Sequence, residues 1–203
     1  MYTLVIDETI TKYFSYPKGF TLNGNQYPAD IFSKWSVAEK EAIGIYEVVF
    51  DSSNKKDEDY YINTNQSFNY ADGVVTASYG TAVGKKLTDT NEVNEDGTPM
   101  LQDGVQVVTL GLKSNKKKVI KQQASGLLQP TDWYVIKANE VEGYTVPTDI
   151  ANFRAEVRSQ SNAMEDMIDA STTVAELKDL YEYTEQLDGT ITRPLPEFPK
   201  EVV

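Results

Sequence analysis

The sequence predicts an α+β fold, with an N-terminal β-rich domain that contains one short helix and a C-terminal region of three helices. Up to about residue 110, short segments of β-branched and aromatic residues alternate with turn sequences. From Leu112 onward, apolar residues recur at three- and four-residue steps, as in amphipathic helices. The chain has 203 residues, enough for one large domain or two small ones. We therefore predict a domain over residues 1–110 and a second over 111–203 that ends in a Pro-rich tail.

Strands are predicted in the first domain where β-branched and aromatic residues cluster. The segments are Tyr2–Ile6, Ile45–Phe50, Tyr60–Ile62, Ser67–Tyr70, Val74–Tyr79 and Val105–Leu110. Two turn sequences, Asn23-Gly24-Asn25 and Ala71-Asp72-Gly73, contain the Asn-Gly or Asp-Gly pair typical of tight hairpins. The second turn predicts a β-hairpin between Ser67 and Tyr79.

The short helix of this domain is predicted to begin at Ser36. Ser36 and Glu39 have the spacing of a capping box, in which each side chain accepts a hydrogen bond from the other residue's backbone N–H. Gly44 lies where a left-handed residue ends a helix. Ser36, Glu39 and Gly44 are therefore structural candidates, and the predicted helix runs to Ile43.

The first predicted helix of the second domain runs from Leu112 to Leu128, and Pro130 breaks it. Its apolar side is predicted to consist of Val119, Ile120, Ala124, Leu127 and Leu128. Thr131 to Trp133 then predict a short turn, in which Trp133 plugs the junction between helices.

Two more helices are predicted after this turn. One starts after Pro147, with Thr148 or Asp149 as its cap. The other starts at a second capping box that begins at Thr173, and it is predicted to end at Gly189. The apolar face of the first is predicted to consist of Ile150, Phe153, Val157, Met164, Met167 and Ile168.

The composition limits the chemistry that we expect. The chain contains no cysteine and no histidine, so it lacks a thiolate nucleophile and the usual general base near neutral pH. Its net charge of −12 disfavours nucleic-acid binding, which needs a dense cationic face. No apolar run reaches the length of a membrane helix, and no signal peptide is recognisable. We therefore expect no enzymatic activity, no cofactor, no nucleic-acid partner and no membrane partner.

Two acidic segments were considered as cation sites, Asp57–Asp59 and Glu92–Asp96. The stretch from Asp89 to Gly97 departs from a calcium loop, because Val93 falls on a ligand position and Asn94 stands where the sharp turn needs glycine. We interpret both segments as solvated loops and predict no metal site.

Three groups of residues are candidates for contact with a partner. They are the tyrosines Tyr60, Tyr61, Tyr70 and Tyr79, the lysines Lys116, Lys117 and Lys118, and the tail residues Pro196 and Phe198. Tyrosine is enriched at interfaces, but it also fills β-strands. The lysines fit either an anionic partner or the wet face of a helix. The tail fits either a partner's groove or its own domain.

Four short sequences follow one another in the C-terminal region. They are Thr131-Asp132-Trp133, Val146-Pro147, Phe153-Arg154 with Val157-Arg158, and Pro194-Leu195-Pro196-Glu197-Phe198-Pro199. In this order they resemble the C-terminal pattern of small bacteriophage tail proteins, in particular tail-fibre assembly proteins and tail assembly chaperones. Phe153 stands where that family usually has tyrosine. Trp133, Pro147 and Phe153 are therefore structural candidates.

The N-terminal region resembles another segment of phage tail-associated proteins. The matching residues are Asn23-Gly24, Tyr27-Pro28, Trp35 and Glu39 to Ile45. In those proteins the segment forms a small β-rich unit with one short helix.

The resemblance implies a non-enzymatic structural component of a phage tail. Residues 1–110 would be its attachment domain, other fibre or baseplate proteins its partners, and the virion its location after synthesis in the host cytoplasm. A homo-oligomer is expected by analogy. The alternatives are a tail-fibre assembly chaperone that leaves the particle, a polysaccharide-binding tail adhesin and a host cytosolic protein.

Overall fold

A computed structural model describes residues 1–200 and divides the chain into two units, one over Met1–Val83 and one that begins at Gly84. The first unit contains strands and two short helices, and the second contains four helices and several short strands. The predicted α+β class, with a sheet region followed by a helical region, is confirmed.

The first unit is built on a five-stranded sheet with the strand order β2-β1-β5-β8-β7. Strands β5 and β8 are parallel, and the other neighbours are antiparallel. The strands of this unit are β1 Tyr2–Ile6, β2 Thr9–Phe14, β3 Phe20–Leu22, β4 Asn25–Tyr27, β5 Ile45–Asp51, β6 Tyr61–Ile62, β7 Ser67–Ala71 and β8 Val74–Ser78, with β9 Val83–Gly84 at the boundary. Rings of Tyr13 on β2 and Phe68 on β7 lie 4.9 Å apart, so the two edge strands approach each other and the sheet curls.

Both faces of this sheet are apolar, because successive strand residues point to opposite sides. One face buries Leu4, Phe14 and Ile45 against a cluster that includes Phe20 and Phe32. The other face buries a second cluster, whose fully or nearly buried members are Val5, Val48, Val75 and Ala77.

The predicted local signals of this unit are confirmed. Residues Asn23-Gly24 and Asp72-Gly73 all have positive φ, as tight hairpin turns require. Helix α2, Val37–Glu41, has the complete capping box between Ser36 and Glu39. Gly44 follows it with φ of +81°, and a Cβ there would lie 2.3 Å from the Val5 carbonyl oxygen. Only glycine fits both conditions.

The structure adds a helix that was not predicted, α1, Ile31–Lys34. It is four residues long and its N-cap, Asp30, makes no side-chain capping bond, so the sequence carries no start signal. Burial of Ile31 and Phe32 in the first cluster holds it in place.

The second unit centres on two long helices, α3 Leu112–Leu128 and α5 Thr148–Ala170. They run in opposite directions, since Lys117 near the start of α3 pairs with Asp169 near the end of α5. Ala124 of α3 and both Phe153 and Val157 of α5 form their buried contact. The other elements are the short strands β10 Thr90–Asn91, β11 Leu101–Gln102, β12 Val105–Gln106, β13 Val108–Thr109, β14 Thr184–Glu185 and β15 Ile191–Thr192, and the helices α4 Asp132–Glu140 and α6 Val174–Asp179.

The boundary between the units lies earlier than the predicted residue 110. Residues 84–110 belong to the second unit because they are tied to the start of α3. The Leu112 amide donates to the Lys86 carbonyl at 2.9 Å, and the Gly111 amide donates to Asp89 Oδ1 at 2.8 Å. Sequence typical of strands continues past the boundary between the units. Composition alone therefore could not locate this boundary.

Three details of the second unit differ from the prediction. The segment after Pro130 forms a helix, α4, so the region has four helices instead of three. Pro147 itself is the N-cap of α5, with Thr148 already helical. Helix α6 ends at Asp179, and Gly189 lies instead between β14 and β15, with φ of +81°.

Candidate protein-interaction surface

The buried arginine of α5 fixes the turn between α3 and α4. Arg154 is only 7% exposed, although it carries a full charge. Its Nη1 donates to the Leu128 carbonyl at 2.8 Å and to Thr131 Oγ1 at 2.6 Å. Its Nη2 donates to Asp132 Oδ1 at 2.7 Å. We call this set of contacts the Arg154 junction.

Each contact in the Arg154 junction stabilises a helix terminus. The Leu128 carbonyl lies at the C-terminus of α3, where carbonyls lack intrahelical partners and cations are favoured. Thr131 Oγ1 also donates to this carbonyl at 2.8 Å. Asp132 is the first residue of α4, and a negative charge is favoured at the N-terminus of a helix. The junction therefore fixes the point and direction at which α4 leaves the helix pair.

Helix α4 has no buried residue. Its side chains include two large apolar groups that face solvent, Trp133 at 50% and Ile136 at 55% exposure. A helix of a globular unit normally buries an apolar stripe, so an exposed one marks a candidate contact surface.

The aromatic side chains of this helix contact one another and a neighbouring lysine. The rings of Trp133 and Tyr134 lie 3.9 Å apart. Lys137 Nζ lies 5.6 Å from the Trp133 ring and 4.4 Å from the Tyr144 ring, which gives cation–π contacts with both. We call Trp133, Tyr134, Ile136, Lys137 and Tyr144 the α4 surface.

The prediction that Trp133 plugs the helix junction is wrong. Arg154 and Thr131 occupy that junction, and Trp133 lies outside it. The sequence pattern does place Phe153 correctly, since it is 4% exposed in the core between α3 and α5. Arg154 was missed as a functional residue, although its position directly after Phe153 in the motif was a usable signal.

The predicted tyrosine contacts do not form one surface. Tyr60 is 5% exposed and therefore belongs to the interior. Tyr70 packs against the second sheet cluster, and its hydroxyl oxygen lies 3.1 Å from that of Tyr46, so the two hydroxyls share a hydrogen bond. This hydrogen bond, together with burial, raises the pKa of Tyr46 to about 12. Tyr61 and Tyr79 are half-buried, with Lys56 and Lys55 near their rings.

The lysines of α3 are mostly engaged with their own unit. Lys117 pairs with Asp169 at 2.8 Å, and this hydrogen bond raises the pKa of the lysine. Lys116 lies 4.8 Å from the Tyr181 ring. Lys118 is exposed, as is its neighbour Val119, which was predicted on the apolar side. Ile120 and Ala124, which were predicted on the same side, are buried as expected.

The tail folds onto its own unit. Leu195 is 2% exposed, and its amide donates to the Leu180 carbonyl at 3.0 Å. Phe198 packs against the cluster of Ala124, Phe153 and Val157. Pro196, which lies between Leu195 and Phe198 in the sequence, is half-buried. The prediction that Pro196 and Phe198 contact a partner is therefore replaced by a structural role.

Two further observations concern residues 1–200. No group of three or more acidic side chains in this range is arranged to hold a metal ion. No helix in the same range has the length and apolarity needed to cross a membrane.

No protein-family model, curated protein or solved structure matches the chain.

Proposed function

We propose that this protein is a non-enzymatic component of a bacteriophage tail that acts through protein–protein contacts at the fibre or baseplate. The α4 surface carries this proposal. It presents tryptophan, tyrosine and an aliphatic side chain on a helix that buries none of its residues. Tryptophan and tyrosine are the residue types that most often dominate binding energy at protein interfaces.

The Arg154 junction supports the resemblance to phage tail proteins. Two of the sequences on which that resemblance rests are Thr131-Asp132-Trp133 and Phe153-Arg154. In the structure, Arg154 donates hydrogen bonds to both Thr131 and Asp132, across 22 or 23 positions of the chain. This set of contacts gives a physical reason for the two sequences to occur together, since the buried guanidinium finds its hydrogen-bond acceptors in the first sequence and in the preceding Leu128 carbonyl.

The form of the α4 surface favours a protein as the partner. Small-molecule sites are usually concave and enclose most of the ligand. Here the exposed groups are on the outside of a single helix, which suits insertion into a groove of another protein. The Arg154 junction fixes the helix before binding, which lowers the entropic cost of association.

Mass spectrometry of purified particles of a phage that encodes the chain tests this proposal. A tail component is expected in the intact particles and in isolated tails, in several copies per tail. Its presence on unfinished fibres, together with its absence from particles, would favour the chaperone alternative. Absence from both particles and assembly intermediates would contradict the proposal.

A further inference from the structure

Residues 89–110 form an arm of four short strands in which no residue is buried. Strand β10 pairs with β13, β11 pairs with β12, and Val93 bridges Pro99. The Gln106 side chain donates to the carbonyls of Glu92 and Val107, at 2.7 and 2.9 Å. No residue of this arm is buried, so hydrogen bonds rather than a core hold it together. Isolated hairpins of this size are marginally stable in water, and a covering surface would stabilise the arm.

One face of the arm is apolar. Side chains of directly opposed residues in antiparallel strands share a face, and alternate residues along a strand do too. If this alternation continues through Val107, the pairs Asn91–Val108, Val93–Pro99 and Leu101–Gln106 share one face. Its large apolar members are 41 to 58% exposed: Val93, Leu101, Val108 and Leu110.

The arm is acidic, whereas the neighbouring helix is basic. Residues 89–110 contain five carboxylates and no lysine or arginine, and α3 contains five lysines and no carboxylate. A groove along α3 is lined by Leu110, Ser114, Lys117, Lys118, Lys121 and Gln122, among others. Lys118 is exposed, and Lys121 is 66% exposed although it pairs with Glu165. Exposed ion pairs of this kind are weak, so these lysines are accessible to another carboxylate.

We propose that the arm of one copy of this chain docks in the α3 groove of a second copy. The charge signs match, Leu110 supplies an apolar contact within the groove, and the same chain supplies both surfaces. Leu110 belongs to both the apolar face of the arm and the groove, so the two surfaces are continuous. A continuous, self-complementary face is what a two-fold symmetric dimer needs, with each arm in the other copy's groove. This inference does not rest on the tail function, because it follows from the second unit alone.

Charge variants of the full chain test the contact by analytical ultracentrifugation. Glu95→Lys with Asp103→Asn removes the acidic character of both arm turns, and Asn tolerates the positive φ of Asp103. Lys118→Glu with Lys121→Gln makes the opposite charge change in the groove. Each variant alone is expected to weaken dimerisation about tenfold or more, because the electrostatic attraction between arm and groove is then reduced in both contacts.

A mixture of the two variants gives the most specific test of the contact between arm and groove. In the mixed dimer, the arm that has gained a lysine faces the groove that has gained a carboxylate, and the second contact keeps its native charges. The mixture is therefore expected to recover dimers that neither variant forms alone. This recovery also shows that both variants are folded.

Leu101→Ser tests the apolar part of the contact, with Val37→Ser in the first unit as the control. The two side chains are almost equally exposed, at 58 and 59%. Only the first substitution is expected to weaken the dimer. A wild-type chain that remains monomeric up to roughly 100 micromolar would overturn the proposal. A mixture of the two charge variants that fails to recover the dimer would also overturn it. In either case, the partner of the arm would be a different protein.

Discussion

At the scale of single residues, Arg154 connects the sequence motif to the structure. Its guanidinium donates to the Leu128 carbonyl and to Thr131 Oγ1 at the end of α3, in addition to the hydrogen bond that these two groups make with each other. Its pairing with Asp132 counts for less, because the Asp132 side chain is 52% exposed and solvent weakens the pair. The role of Arg154 is thus mainly to order the backbone beneath the α4 surface.

Replacing Arg154 with Met is expected to lower the free energy of unfolding of the helical unit by about 2 to 3 kcal/mol, since buried polar groups lose a donor. Urea unfolding measured by circular dichroism checks this value. Asp132→Asn is the matched control, and it is expected to cost no more than about 1 kcal/mol. Equal losses for the two variants would show that the surface ion pair, and not the buried contacts, stabilises the junction.

At the scale of elements, the tail acts as part of the helical core. Leu195→Ala is expected to lower the free energy of unfolding by about 2 to 4 kcal/mol, because a fully buried leucine leaves a cavity. Leu187→Ala serves as the control, since Leu187 is fully exposed between β14 and β15. Thermal and urea unfolding of both variants measure the difference. A tail that docks only loosely would give the two variants the same stability.

The capping box of α6 gives the helical unit an acid-sensitive contact. Hydrogen bonds from the Thr172 backbone and hydroxyl, followed by those of Thr173, hold the pKa of Glu176 below its ordinary value of 4.5. A carboxyl whose pKa is lowered by folding stabilises the protein above its unfolded pKa, and that contribution is lost as the pH falls through the folded pKa. Glu176→Ala is therefore expected to lower the urea midpoint at pH 7. The gap between variant and wild type should close as the pH falls below 4.5 and through the lowered pKa of Glu176. A gap that is independent of pH would contradict the assignment.

Elements that bury an apolar stripe or carry a cap were predictable from the sequence. The bounds of α3 and the two capping boxes are confirmed for this reason. Helices α1 and α4 were missed for opposite reasons. The first is too short to show a period, and the second buries nothing, so its apolar residues follow no core-facing pattern. The Arg154 junction depends on a contact between distant positions, which local periodicity does not encode.

At the scale of the whole molecule, two groups of exposed apolar side chains in the second unit differ in chemistry. The α4 surface is aromatic and cationic through Lys137, whereas the arm is aliphatic and acidic. We therefore assign them different partners: another tail protein for the α4 surface and a second copy for the arm. In the first unit, by contrast, Tyr60 and Tyr70 are used in internal packing.

The most direct test of the account is the number of copies of the Trp133→Ala/Ile136→Ser variant in purified phage particles. Val37→Ala/Ile62→Ser changes two side chains that are each 59% exposed in the first unit, and it serves as the control. If the α4 surface binds a tail partner, the first variant should be depleted about tenfold or more from particles while both proteins fold normally in the cell. Incorporation of the first variant at the wild-type level would contradict the role of the α4 surface.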